Sequence, residues 1–123
     1  MAQSTSRGVG FLAAVLGIVM IGSGVSKLAG ESHQVAMFAQ VGLPSWFLAL
    51  VGTFEVIGGI LLAAPPSTPA GSLILSTIMV GALWTHAAKG EWAELIPVSV
   101  LLALFLLIFQ RNRSRAIRLL GAA

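Results

Sequence analysis

Four long runs of apolar residues, separated by short polar or proline-rich breaks, dominate the pattern of this chain. Each run is close to the ~20 residues that a helix needs to cross the hydrocarbon core of a bilayer. Proline and glycine end helices, so the breaks at 42–44, 65–69 and 89–91 bound the runs. The pattern predicts an all-α membrane protein, a four-helix transmembrane bundle with spans at about 8–28, 45–64, 70–88 and 93–110.

The composition also indicates a membrane protein. Of the 123 residues, 57% are hydrophobic and 9% are charged, and the mean hydropathy is +0.97. A typical soluble domain carries about 25% charged residues, so this chain has too little polar surface to coat a water-soluble globule. The length predicts a single membrane domain over residues 1–123, in contact with the lipid bilayer.

Positive charge is concentrated at the ends of the chain. The formal net charge is +3, and four of the seven basic residues follow the last apolar run: Arg111, Arg113, Arg115 and Arg118. A basic tail beside a membrane segment indicates topology and not nucleic-acid binding. Together with Arg7, this tail places both termini in the cytoplasm of a multi-pass protein of the cell membrane.

The predicted outer side carries a short helix between spans 1 and 2. The first span is expected to be retained, because it is long enough to cross the bilayer and more spans follow it. Ser32 can cap the short helix over 32–41, which lies on the outer surface or folds back as a lid. All three tryptophans fall near the predicted outer boundary of the membrane: Trp46, Trp84 and Trp92. They form an interfacial aromatic belt, line the rim of a pocket or serve in ordinary packing.

The chain contains no cysteine. Disulfides, thiol redox chemistry and metal or iron–sulfur sites with thiolate ligands are therefore excluded within this chain. The two histidines, His33 and His86, do not form a pair at ligand spacing on one helix, so no metal site is predicted. Haem ligation by one of them would need a second ligand or an open position.

Glu55 is the residue around which a site is predicted. It lies inside the second apolar run, where a charge is costly: Asp, Lys or Arg costs about 2.5–3.5 kcal/mol on insertion scales. Gly52, Gly58 and Gly59 share its helical face and leave room for a neighbouring backbone or a small hollow. Glu55 either exchanges protons or is hydrogen-bonded to its neighbours and fixes the helix register.

Lys27 lies at the outer end of the first predicted span. Gly10, Gly17 and Gly24 recur every seven residues in this span, which predicts a close helix–helix contact along one stripe. Lys27 comes three residues after Gly24 and continues near that stripe. Its ammonium group either faces the bundle interior or extends to the outer headgroups, which the long lysine stem can reach.

His86 lies near the outer end of the third predicted span. Residues at alternating steps of four and three share its helical face, which is predicted to avoid lipid: Ser72, Ser76, Met79 and Leu83. A histidine there either takes part in a site or is a hydrogen-bonded packing residue. The fourth span carries no such face.

A pocket is expected if the helices that carry these polar residues pack together. Glu55, Lys27 and His86 are its predicted catalytic residues, with Glu55 at the floor as proton donor and acceptor and the other two orienting a carbonyl or an oxyanion. Neighbouring residues are predicted to contact a small lipophilic substrate: Phe54, Gly58, Gly59, Met79, Trp84 and Gln40.

Four short motifs occur in order, at 24–28 (Gly-Val-Ser-Lys-Leu), 38–44 (Phe, then Gly-Leu-Pro), 55–62 (Glu-Val-Ile-Gly-Gly-Ile-Leu-Leu) and 79–81. Over roughly residues 8–110 the chain resembles the DoxX-like family of small four-helix membrane proteins. The best-known relatives in that family resemble membrane subunits of oxidoreductases, including a thiosulfate–quinone oxidoreductase, and most members have no assigned reaction. The resemblance implies that Lys27, Glu55, Gly58 and Gly59 occupy motif positions, and that quinone or a partner subunit supplies the redox capacity.

Three functions therefore stay open at the level of the sequence. The first is a quinone-linked oxidoreductase subunit or a membrane enzyme that acts on a lipophilic substrate. The second is a small dimeric proton-coupled transporter, although four-helix multidrug exporters carry their carboxylate in the first span and this chain carries it in the second. The third is a non-catalytic assembly subunit, in a homo-oligomer or with a partner oxidoreductase subunit.

Overall fold

The computed structural model describes the backbone of residues 2–122 and the side chains of residues 7–112. This part of the chain contains five α-helices, one 3-10 turn and no β-strand. The helices are α1 (Ala2–Leu28), α2 (Ser32–Gln40), α3 (Ser45–Ala63), α4 (Thr68–Ala88) and α5 (Trp92–Ala122), and the 3-10 turn is Pro65–Ser67. The side chains of Arg113, Arg115 and Arg118 lie outside the described residues.

The helix ends differ from the predicted spans where the local chemistry permits a longer helix. Proline lacks an N–H, but the first turn of a helix has no use for that donor. Pro69 therefore lies in the first turn of α4, which begins two residues earlier than the predicted third span. Helix α5 continues beyond Gln110 into the basic tail, because no glycine or proline interrupts the chain there.

Helix α2 forms where it is predicted, but Ser32 does not cap it. Glu31 is the capping residue, and its carboxylate accepts hydrogen bonds from the backbone N–H groups of His33 at 2.9 Å and Gln34 at 3.1 Å. Ser32 is the first helical residue. Gly30 and Gly42 have φ values of +71° and +78° and connect α2 to its neighbours, a conformation that glycine adopts without strain.

The long helices pack in the order α1 on α3, α3 on α4 and α4 on α5, while α5 touches α1 only lightly. All four contribute to one apolar core, whose buried side chains are Ala13, Leu16, Met20, Leu62, Leu75, Met79, Phe105 and Ile108. The face of α4 that was predicted to avoid lipid is confirmed at four positions, because Ser72, Ser76, Met79 and His86 are all buried.

The outer surface of these helices is apolar. Large hydrophobic side chains are exposed along every long helix, among them Phe11, Ile18, Ile60, Val80 and Ile96. Four stretches are long and apolar enough to cross a membrane: Arg7–Leu28, Ser45–Ala63, Pro65–Ala88 and Trp92–Asn112. An apolar exterior over spans of this length is what lipid acyl chains require, since they offer no hydrogen bonds to polar side chains.

Candidate functional site: a buried ion pair between two helices

Glu55 is buried and paired with Lys27. The Glu55 residue is 3% exposed, and the ammonium nitrogen of Lys27 lies 2.9 Å from Oε2 and 3.2 Å from Oε1 of its carboxylate. The Lys27 side chain is 10% exposed, so it faces α3 instead of extending to the headgroups. The structure therefore brings together two of the three predicted catalytic residues, which are 28 residues apart in sequence.

Ser23 completes this cluster. Its hydroxyl oxygen accepts a hydrogen bond from the Lys27 ammonium group at 3.0 Å. The same hydroxyl donates toward the Glu55 carboxylate, at 3.3 Å from Oε1 and 3.4 Å from Oε2. Ser23, Lys27 and Glu55 thus form a closed set of three polar groups between two predominantly apolar helices; we call it the ion-pair cluster.

Glycine contacts bring α1 and α3 close enough for this cluster to form. A Cβ atom added to Gly24 would lie 2.5 Å from the carbonyl oxygen of Gly52, and one added to Gly17 would lie 2.6 Å from that of Gly59. Both contacts belong to the same antiparallel alignment of α1 on α3. Glu55 lies between Gly52 and Gly59, so this alignment also sets its position opposite α1. The predicted stripe on α1 is thus confirmed at Gly17 and Gly24, whereas Gly10 has no atom near its would-be Cβ.

The predicted substrate-binding residues have different surroundings. The space beside Gly58 and Gly59 is filled by neighbouring helices. Gly58 packs against Leu75 of α4, and Gly59 packs against the backbone of α1. Met79 belongs to the apolar core. Phe54 is 44% exposed and Trp84 is 78% exposed, so these two rings lie toward the surroundings of the helices and not toward their interior.

His86 has its polar partner elsewhere. Its Nδ1 atom lies 3.3 Å from Oε1 of Glu91, in the turn between α4 and α5. Glu91 in turn lines an open depression at the end of the molecule that carries α2, together with His33, Ala36, Met37, Gln40 and Glu94. Neither Glu55 nor Lys27 lines this depression, so Gln40 and the His86–Glu91 pair belong to a location separate from the ion-pair cluster.

The residues described by the structure do not include three His, Asp or Glu side chains placed to hold a metal ion. The ion-pair cluster itself offers one carboxylate, one ammonium group and one hydroxyl group. This set can donate hydrogen bonds to a carbonyl oxygen, accept one from a hydroxyl group and transfer a proton.

Comparison with known proteins identifies the family. The pattern shared by the DoxX-like family matches residues 11–109, which is most of the chain. The chain belongs to the DoxX-like family. It is also 27% identical over 92 residues to a protein of Bacillus subtilis (strain 168) named "Putative oxidoreductase CatD", covering 75% of this chain and 69% of that protein. No solved structure matches the chain.

The family assignment confirms the resemblance drawn from the motifs. The matched region of this DoxX-like chain contains the whole ion-pair cluster and all four apolar stretches except their outermost residues. A chain of this family with four such helices is a multi-pass membrane protein in contact with the bilayer. The cluster therefore lies within the region that the chain shares with its family.

Ser23 is the residue of the cluster that the sequence analysis missed. The signal that could have revealed it is its spacing, because Ser23 precedes Lys27 by four residues and so lies on the same face of the helix. A single serine within an apolar span does not by itself indicate a functional site. Ser76, on the predicted polar face of α4, has a buried hydroxyl with no hydrogen-bond partner among the described residues.

Proposed function

We propose that this chain is the membrane subunit of an oxidoreductase and that it binds a quinone or another small lipophilic substrate beside Glu55. The observation that carries the proposal is the buried Lys27–Glu55 ion pair. Replacing such a pair by apolar residues is often neutral or stabilising, so stability alone is a weak reason for two charges at this depth. Membership of the DoxX-like family and the oxidoreductase name of its relative support the class of reaction.

The ion pair presents the two polar groups that a quinone head group needs. Lys27 donates a hydrogen bond to a carbonyl oxygen of the quinone, and the Glu55 carboxyl group delivers a proton to it. To reach Lys27 or Glu55, the quinone head group displaces part of the contact between these two side chains. Phe54, next to Glu55 in sequence and half-exposed, offers an apolar ring on the lipid-facing side of α3 along which a lipophile can enter.

The reaction needs a source of electrons as well as protons. Conversion of a quinone to its quinol takes two electrons and two protons. We assign the electrons to a partner oxidoreductase subunit, because a chain without cysteine cannot supply them through thiols or cysteine-bound clusters. The protons enter one at a time from the water at the α2 end, and Glu55 is reprotonated between the two transfers. Lys27 lies one residue before the end of α1, at the end of that helix that leads to α2.

The quinone content of the purified protein tests this function. Full-length protein is purified in mild detergent, and its lipid extract is analysed for quinones by mass spectrometry. We expect the wild type to retain quinone together with its quinol and Glu55→Gln to retain about tenfold less or lower, because a quinol hydroxyl group donates to the Glu55 carboxylate and a hydrogen bond to a charged group is worth about 1.5–3 kcal/mol. Glu94→Gln, which changes an exposed carboxylate in the separate depression, is the matched control and keeps the wild-type content.

A wild-type protein with no more quinone than an unrelated membrane protein purified in the same way would overturn the proposal. So would equal quinone content in the wild type and in Glu55→Gln. Either result shifts the interpretation toward a chain that binds no lipophile at the ion pair.

A second candidate is a non-catalytic assembly subunit, which the close packing of α1 on α3 favours. In that role the ion pair joins the two helices and has no substrate. Glu55→Gln would then leave a complex with the partner subunit intact and active, whereas Gly17→Leu, which forces a side chain against the Gly59 carbonyl group, would break it. Proton-coupled transport by a dimer stays a hypothesis drawn from the sequence.

A further inference from the structure

We propose that Ser23 is a positioning residue that holds the Lys27 ammonium group inside the protein whenever Glu55 is unavailable as its partner. The inference rests on the proposed function, since it is there that Glu55 becomes protonated or bonds to a substrate. It assigns to Ser23 the role of a substitute acceptor for Lys27.

The geometry gives Lys27 two independent acceptors. One is the Glu55 carboxylate of α3, at 2.9 Å, and the other is the Ser23 hydroxyl oxygen of α1, at 3.0 Å. Ser23 and Lys27 are one helical turn apart on the same helix, so this second contact does not depend on α3. A serine hydroxyl group can accept one hydrogen bond while it donates another, so Ser23 bonds to both members of the pair at once.

The substitute acceptor matters because of where Lys27 lies. When Glu55 takes up a proton or turns to a substrate, the ammonium group loses its only anionic partner in the cluster. An unpaired ammonium group in an apolar environment is costly, and Lys27 is one residue from the end of α1. Its long stem would let it extend to the headgroups and leave the site. The Ser23 hydroxyl keeps it beside Glu55, where it can donate to the substrate.

The chain has a built-in reference for measuring this. It contains two lysines, Lys27 and Lys89, and only Lys89 is exposed. A water-soluble amine-modifying reagent applied to the full-length protein in lipid vesicles, followed by mass spectrometry, reports the modification of Lys27 relative to Lys89. Glu55→Leu removes both oxygen acceptors at position 55, which an amide would not, and no substrate is added.

We expect protection of Lys27 to depend on either partner being present. The wild type, Ser23→Ala and Glu55→Leu all protect Lys27, because each retains at least one of the two acceptors. The double variant Ser23→Ala/Glu55→Leu has neither, and its Lys27 modification rises about tenfold or more relative to Lys89, as expected for the loss of a charge-assisted hydrogen bond.

Two controls separate positioning from packing. Ser26→Ala/Glu55→Leu removes a hydroxyl from the same helix that forms no hydrogen bond with the pair among the described residues, and it keeps Lys27 protected. Ser23→Thr/Glu55→Leu restores a hydroxyl group at position 23 and also keeps it protected. If the double variant with Leu fails to fold, Glu55→Ala, which also lacks an acceptor, replaces Glu55→Leu in every arm.

Two results would overturn the inference. One is full modification of Lys27 in Glu55→Leu alone, which would show that Ser23 cannot hold it. The other is continued protection in the double variant, which would show that another group does. Because no quinone takes part, this test can succeed where the quinone analysis fails, and the two failures are distinguishable.

Discussion

At the scale of single residues, the chain keeps two opposite charges inside an apolar helix pair and satisfies them with each other. Lys27 and Glu55 are each almost completely buried, and Ser23 bonds to both. The sequence left two orientations open for Lys27, inward or toward the headgroups, and the structure has the inward one. His86, also near the α2 end, pairs with Glu91 instead. Its predicted role as a catalytic partner of Glu55 stays a prediction.

Removing one charge of the pair is expected to be worse than removing both. Lys27→Met leaves the Glu55 carboxylate buried without a counter-charge, and we expect a loss of about 3–5 kcal/mol in the free energy of unfolding. Lys27→Met/Glu55→Leu removes both charges and should recover most of that loss. Unfolding of the purified protein in detergent, followed by circular dichroism, measures both. A double variant as unstable as Lys27→Met would show that an unpaired buried charge is not what destabilises Lys27→Met.

At the scale of helices, glycine contacts set the distance between α1 and α3, and the Glu31 carboxylate caps the first turn of α2. The two glycine-to-backbone contacts set the distance and register of α1 against α3, which places Ser23 and Lys27 opposite Glu55. Helix α2 has no buried residue and depends instead on its Glu31 cap and on the contact of Phe38 with Phe47, whose ring centroids are 6.3 Å apart.

The cap predicts how α2 responds to acid. The hydrogen bond from the His33 backbone N–H group is the main cause that lowers the pKa of Glu31 below its ordinary value of 4.5. Because the folded-state pKa is lowered, the stabilising effect of the cap is present above pH 4.5 and is lost as the pH falls through the folded-state pKa. We expect the backbone amide resonances of His33 and Gln34 to titrate together, with a midpoint below 4.5.

Nuclear magnetic resonance of the protein in detergent micelles follows this titration. Glu31→Gln should abolish it at both amides, and Glu94→Gln should leave its midpoint unchanged. A midpoint at or above 4.5 in the wild type would show that the cap does not favour the ionised carboxylate.

At the scale of the whole molecule, the apolar exterior and the four membrane-length stretches make the chain a multi-pass membrane protein of its family. The direction in which it crosses the membrane stays a prediction from charge. Basic residues gather at the end with the termini, and cytoplasmic loops carry the excess of lysine and arginine in membrane proteins. The α2 end, with the ion-pair cluster near it, is therefore expected to face outward.

Single cysteines can test this orientation, because the chain has none of its own. Ala36, on α2, and Ala64, at the end of α3, are both exposed. In intact cells a membrane-impermeant maleimide should label Ala36→Cys at once and Ala64→Cys only after the cells are permeabilised. The unmodified chain serves as the blank. Labelling of Ala64→Cys in intact cells, with protection of Ala36→Cys, would reverse the predicted topology.

Much of the secondary structure follows from the sequence alone. The number and approximate bounds of the membrane-length helices come from apolar runs and proline-rich breaks, which act through local backbone chemistry. The same local pattern placed α2. It identified the wrong capping residue, because Ser32 and Glu31 can both accept hydrogen bonds from the free N–H groups. The backbone angles of Glu31 decide between them.

The sequence by itself determined that the chain forms apolar helices of bilayer length and that Glu55 needs a partner, because burying a charge is costly whatever the fold. Only the tertiary structure decided which partner it has. That choice depends on how far apart and in which rotation α1 and α3 pack, and contacts such as Gly17 on Gly59 set both across many intervening residues. The same packing brought Ser23 into the cluster, and the turn after α4 gave His86 its own carboxylate.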